Sequence, residues 1–142
     1  MLRELKKNNE IFLFTASHKE YANQVLDYLD PARSLFDDCF YRDSCILHRG
    51  MYMKDLRILG NRDLANVVLV DNAAYSFSMQ VANGIPIIPF YKSKKDNELL
   101  DLLKYLKSLE KVKDVRPKIK DHFKLMELTK ANSVYDGLVQ LF

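Results

Sequence analysis

The 142 residues are 48% apolar and 29% charged, enough for one globular core and too apolar for a disordered chain. Twenty-two basic against 19 acidic residues leave a formal net charge of only +3, without the basic stripe of a nucleic-acid binder. No apolar run is long enough to span a membrane. Cys39 and Cys45 form no CxxC pair, so zinc has no evident ligand set. Residues 1–9 are too polar for a secretory signal, which with so few cysteines points to a reducing compartment, nucleus or cytoplasm.

In chain order, residues 2–7 read as the end of a helix stopped by Asn8-Asn9. Ile11-Phe12-Leu13-Phe14 is a short apolar run, expected as a strand buried on both faces of a parallel sheet. Ser17 then caps a helix, with Glu20 completing a capping box. Tyr21, Ala22, Val25, Leu26 and Leu29 form its apolar stripe, and Asp30-Pro31 ends it. Between Leu35 and Leu56, Arg49-Gly50 separates two strand-like stretches, 45–48 and 51–53, and predicts a β-hairpin lying over the sheet. Val67-Val68-Leu69-Val70 is a second buried strand ending at Asp71-Asn72. Residues 73–83 read as a helix terminated by Gly84. Residues 85–90 make a third strand, whose Pro86 and Pro89 argue for an edge position or strand ends. Residues 96–110 form an amphipathic helix with Leu99, Leu102, Leu103, Leu106 and Leu109 as core, and Pro117 opens another through about residue 128. Residues 1–128 read as one domain and 129–142 as a weakly patterned tail. Strands alternating with helices predict an α/β fold around a parallel sheet.

Ligands of such sheets bind beyond the carboxyl ends of the strands. Thr15-Ala16-Ser17 puts hydroxyls and a helix start after the first strand, an anion cradle if not simply a helix start. Asp71 and Asn72 offer hard oxygen ligands after the second, suited to Mg²⁺ if not simply a turn. Lys54, a surface lysine when taken alone, could place a charge on a phosphate. Arg42 equally reads as the partner of a nearby acid. His18, His48 and His122 lie in unrelated contexts.

Taken together, these segments resemble a known family. Phe14-Thr15-Ala16-Ser17, Tyr21-Ala22 and Leu29-Asp30-Pro31 resemble the second motif of the CTD small phosphatases, of the haloacid-dehalogenase superfamily. Tyr41-Arg42-Asp43-Ser44-Cys45, His48-Arg49-Gly50 and Tyr52-Met53-Lys54-Asp55-Leu56 are similar to their inserted hairpin and third motif. Leu59-Gly60-Asn61-Arg62-Asp63-Leu64 is similar to a family segment, with Asn61 inserted. Val70-Asp71-Asn72 resembles the fourth motif, and Asn83-Gly84-Ile85-Pro86 and Asp96-Asn97-Glu98-Leu99-Leu100 continue the likeness. Asp114-Val115-Arg116-Pro117, with Phe123 and Leu125, looks most like the small-phosphatase-like 2 branch.

The resemblance implies a haloacid-dehalogenase-like parallel sheet with helices on both faces and an inserted β-hairpin. It implies a Mg²⁺-dependent protein serine/threonine phosphatase acting on phosphoserine or phosphothreonine in a protein or peptide. Thr15 would hydrogen-bond the transferring phosphoryl group, and Lys54 would neutralise it. Asn72 would ligate Mg²⁺ and Asp71 would hold the metal's water shell. Ser17 and Arg42 would face the phosphopeptide.

Two departures stand out. Ala73-Ala74 replace the family's Ser-Pro after Asp-Asn. More seriously, the family's nucleophile and general acid/base belong to an Asp-x-Asp-x-Thr strand upstream of Phe-Thr-Ala-Ser. Only 14 residues precede Thr15 here, and the first aspartate is Asp27. The expectation is therefore a sheet lacking its central nucleophile strand and a chain inactive by itself. The alternatives are a catalytically dead phosphopeptide- or protein-binding module, or a subunit that takes the strand from a partner.

Overall fold

The computed structural model describes residues 1–125, and the chain divides into two compact units, residues 1–52 and residues 53 onward. In the first, helix α1 (Leu2–Leu5) precedes strand β1 (Phe12–Phe14), helix α2 (Lys19–Leu29) and strand β2 (Asp38–Phe40). β1 and β2 pair in parallel, Leu13 opposite Cys39, with α2 as the crossover. Phe40 stacks near Phe12 and Phe14, with ring centroids 6.2 and 5.5 Å away.

β2 falls in a stretch that carries no clear strand pattern in sequence. β1, expected to be buried on both faces, is only half-buried, because a two-stranded sheet leaves each of its strands at an edge. Ser17 does not cap α2. The capping position is His18, whose side chain makes no capping bond, while the Ser17 amide donates to Thr15 Oγ1 at 3.1 Å. The apolar stripe of α2 is also narrower than expected. Ala22 and Leu26 are buried, whereas Tyr21, Val25 and Leu29 are exposed. Asp30 is more than a terminator: it is buried, and its carboxylate accepts the amides of Ser34 and Leu35 at 3.0 and 2.9 Å.

A hairpin of β3 (Ile46–His48) and β4 (Met51–Met53) follows a 3₁₀ turn at Arg42–Ser44. Arg49 and Gly50 turn it at φ 48° and 81°, the left-handed pair that a two-residue connection between twisted strands requires.

The second unit holds strands β5 (Leu69–Asp71) and β6 (Gly84–Pro86), again parallel, with Val70 opposite Ile85. Helices α3 (Glu98–Leu109) and α4 (Val115–Phe123) pack on them. Ile85, Leu102, Leu109, Val115 and Ile119 form its core, with Val68, Val70 and Tyr105 partly buried against it. Leu99 does not belong to that core and stays exposed. α4 starts two residues before Pro117, because Asp114 caps it by accepting the Arg116 amide at 3.0 Å. It ends at Lys124, in left-handed conformation, so the expected run to residue 128 falls partly outside the described residues.

Between β5 and β6 the expected α-helix is a 3₁₀ segment, Ala74–Asn83, broken at Phe77 and Gln80. Tertiary hydrogen bonds divert it. The Ser76 carbonyl accepts the Lys54 amide at 2.8 Å, and the Gln80 side chain accepts the Leu56 amide at 2.9 Å. Gly84 is no left-handed terminator but the first residue of β6, with extended backbone. The third strand is correspondingly short. Beyond Pro86 the chain leaves the sheet, and Ile88 and Phe90 are exposed.

The described residues thus form two separate parallel pairs and a hairpin rather than one continuous parallel sheet. No helix among them is long and apolar enough to cross a membrane.

Candidate functional site

Each unit carries its own group of the residues singled out in sequence. In the second unit, Lys54 follows β4 directly and Asp71 closes β5. Lys54 is no surface lysine: its side chain is 8% exposed, and its Nζ pairs with Asp71 Oδ2, on a side chain 9% exposed. Burying two charges together is worthwhile only when their remaining hydrogen-bonding capacity is used. Asp71 Oδ1 meets that need by accepting the Ala73 amide at 2.8 Å. Asp71 therefore serves a turn as well as an ion pair. Asn72, its neighbour, is exposed.

Mg²⁺ often takes only one or two protein oxygens, leaving the rest to water and substrate phosphate. Asp71 and Asn72 fit that demand in kind. No group of three or more His, Cys, Asp or Glu that could hold a metal occurs among the described residues.

In the first unit the parallel pairing of β1 with β2 brings Thr15 and Ser17 to Arg42. The Thr15 amide donates to the Phe40 carbonyl at 2.9 Å, and the Arg42 amide to the Ser17 carbonyl at 3.1 Å. Arg42 Nε donates to the Ala16 carbonyl at 2.6 Å, and Nη1 lies 2.7 Å from His18 Nε2. The guanidinium carbon sits 4.9 Å from the Tyr52 ring centroid. No carboxylate pairs with Arg42 among the described residues.

His18 and Tyr52 were not singled out by their own sequence context. Residues 24 and 10 positions from Arg42 share no helical or strand period with it, and only the β1–β2 pairing and the hairpin assemble them. Asp55 was missed as well. It caps the 3₁₀ turn Leu56–Leu59 and binds Arg57 through both oxygens, at 2.9 and 3.0 Å from Nε, and Gln80 at 2.9 Å. The Arg57 hydrogen bonds outweigh the opposing effect of burial and hold its carboxyl at about 2, below the ordinary 3.8.

Comparison with known proteins settles the affiliation. Residues 1–116 match the family described as NLI interacting factor-like phosphatase. The chain belongs to this family. It is 49% identical over 119 residues to CTD small phosphatase-like protein 2 of Dictyostelium discoideum, covering 84% of this chain and 21% of that protein. It is 40% identical over 114 residues to human carboxy-terminal domain RNA polymerase II polypeptide A small phosphatase 1, covering 78% of this chain and 43% of the relative. These two relatives are thus each matched over less than half of their length.

Among solved structures, the chain is similar to Fcp1, an essential RNA polymerase II CTD phosphatase. The TM-score is 0.55 at 24% identity, covering 96% of this chain and 38% of that one. It is also similar to the fission yeast enzyme bound to beryllium fluoride, with TM-score 0.54 at 25% identity, covering 89% and 37%. These likenesses bear out an α/β fold of the haloacid-dehalogenase kind.

Proposed function

We propose that residues 1–142 carry the phosphate-neutralising and peptide-facing portion of a Mg²⁺-dependent protein serine/threonine phosphatase, and that they do not turn over phosphoesters by themselves. The observation that carries this reading is the Lys54 ammonium, buried against Asp71 at the end of a parallel strand. Phosphoryl transfer asks a protein mainly for positioning and charge neutralisation. A desolvated ammonium held in place by a buried partner supplies both far more strongly than one in water.

Lys54 would exchange its contact with Asp71 for the transferring phosphoryl oxygens. In the first unit, Thr15 Oγ1, now accepting the Ser17 amide, would donate its proton to a phosphate oxygen. Ser17 and Arg42 would face the phosphorylated serine or threonine of a protein or peptide. Asp71 and Asn72 would hold Mg²⁺, which when bound adds further neutralisation of the phosphate charge.

The aspartyl-phosphate route needs a carboxylate nucleophile, and residues 1–14 include no aspartate. A strand with an Asp-x-Asp-x-Thr sequence would have to supply it, from an upstream extension of the same chain or from a strand-donating partner. β1 and β5 each pair on one side only among the described residues, so each keeps an edge on which a strand can add. The family affiliation and the small net charge favour a protein substrate over nucleic acid and a nuclear or cytoplasmic setting without membrane association.

A second reading, a binding module without chemistry, is favoured by Arg42. Its contacts involve no residue upstream of Ala16 and need no nucleophile.

The test is Mg²⁺-dependent hydrolysis of p-nitrophenyl phosphate by the 142-residue chain and by a version extended upstream through an Asp-x-Asp-x-Thr segment. Turnover by the extended chain alone is the expected result. Turnover by residues 1–142 alone would refute the proposal, and folded but inactive forms of both would favour the binding module.

A further inference from the structure

Arg42 is held by three contacts, with no carboxylate among its partners in the described residues. Nε donates to the Ala16 carbonyl at 2.6 Å, the guanidinium lies against Tyr52, and Nη1 meets His18 Nε2 at 2.7 Å. A guanidinium only donates hydrogen bonds and keeps its charge throughout the accessible pH range. In the Arg42–His18 contact the imidazole must therefore be the acceptor, which makes His18 neutral with its proton on Nδ1. This role accounts for α2 having no side-chain cap, since the His18 ring at the capping position is turned to Arg42 instead. The Nη2 hydrogens of Arg42 make no hydrogen bond among the described residues, and they form the edge that a phosphate would take.

We infer that His18 is a positioning residue for Arg42: its imidazole orients the guanidinium edge toward a phosphorylated peptide. This inference rests on the reading of Arg42 as peptide-facing. Without the His18 acceptor, Arg42 Nη1 loses its hydrogen bond to Nε2. The surrounding groups do not replace it. Tyr52 occupies the guanidinium face, Lys19 lies over the Tyr41 ring with its ammonium 5.7 Å from the centroid, and no carboxylate pairs with Arg42 or His18 among the described residues. The Ala16 carbonyl and Tyr52 remain to Arg42, so its placement loosens rather than collapses.

The experiment has two arms. In the first, ¹⁵N spectra of the imidazoles of the 142-residue chain at about pH 8 report the His18 tautomer, with Arg42→Met as control. The expected result is an Nδ1–H tautomer that loses its dominance in Arg42→Met. A dominant Nε2–H tautomer in the unaltered chain would overturn the inference.

In the second arm, a fluorescein-labelled phosphoserine peptide and its unphosphorylated twin are titrated by anisotropy at about pH 8. His18→Ala should bind the phosphopeptide roughly 3- to 10-fold more weakly, as expected for the net loss of one ordinary hydrogen bond. His18→Gln keeps an acceptor and should restore the affinity. Equal binding by His18→Ala and the unaltered chain would overturn the inference. If the unaltered chain does not distinguish the phosphopeptide from its twin, the peptide-facing reading of Arg42 falls and the inference with it. The tautomer measurement then shows separately whether the His18–Arg42 pair exists.

Discussion

At the residue scale, the Lys54–Asp71 pair is the feature whose removal should matter most. Both side chains are less than a tenth exposed, and Asp71 spends its second oxygen on the Ala73 amide. Lys54→Met leaves a buried carboxylate without its cation, which should destabilise the fold by roughly 3 kcal/mol. Urea unfolding would show the loss, and adding Asp71→Asn should recover most of it. A Lys54→Met midpoint unchanged from the parent would show that the pair carries no such energy. Asp55 makes a prediction about acid. Its folded-state carboxyl is held at about 2 by Arg57, against an ordinary 3.8 when unfolded. A depressed pKa contributes stability that is present above the unfolded value and lost as pH falls toward the folded one. Stability should therefore decline between about pH 4 and about pH 2, and Asp55→Asn should flatten that limb of the urea-midpoint profile. An unaltered acid limb would refute the assignment. Neither pair could be read from residue types alone. Lys54 and Asp71 lie 17 positions apart, and only folding decides whether a lysine is solvated or buried.

At the element scale, the segment between β5 and β6 shows how local pattern yields to tertiary demand. Residues 73–83 have helix-compatible composition, yet the chain takes a broken 3₁₀ path that delivers the Ser76 carbonyl and the Gln80 side chain to the residues after β4. It also buries Phe77 completely, against the backbone of Gly84. A Cβ on Gly84 would stand 2.3 Å from the Phe77 ring. The glycine here gives space rather than a special backbone angle, and its φ of −82° is open to any residue. Gly84→Ala should lower stability by about 1–3 kcal/mol through overpacking, measured by thermal or urea unfolding. Phe77→Leu in the same background should return a share of it, and a neutral Gly84→Ala would contradict the close contact. Asn83, buried at 2% exposure, ties this element to the preceding turn through the Leu64 and Val67 carbonyls at 2.7 and 2.8 Å. Apart from β2, the strands are legible because short β-branched and aromatic runs bounded by polar residues have few other uses. Their ends are less so, since Pro86 stops β6 four residues before the apolar run ends.

At the scale of the whole molecule, the described residues build two compact units, each around one parallel pair. Two-stranded sheets are marginal by themselves, and their stability comes from what packs on them. The second unit has a core in which Ile85 and Ile119 are each 1% exposed. The first relies on Ala22, Leu26 and the phenylalanine contacts around Phe40. The comparison of the 142-residue chain with its upstream extension therefore has a stability readout beside turnover. If a nucleophile strand adds to an open edge, the extended chain should unfold at higher urea. An equal midpoint would argue that the extension joins neither pair.

Much of this protein follows from the order of its residues. The α/β class, most strand positions, the hairpin turn at Arg49-Gly50 and the grouping with the phosphatases all rest on short-range pattern and on several motifs in fixed sequence order. Such signals survive because backbone preference and periodicity act over a few residues. The burial of Lys54, the uncapped start of α2, the company that His18 and Tyr52 keep with Arg42, and the space reserved beside Gly84 were decided only by tertiary structure. Each depends on groups brought together from distant positions, where desolvation and hydrogen-bond geometry set the outcome and local sequence carries no record of either.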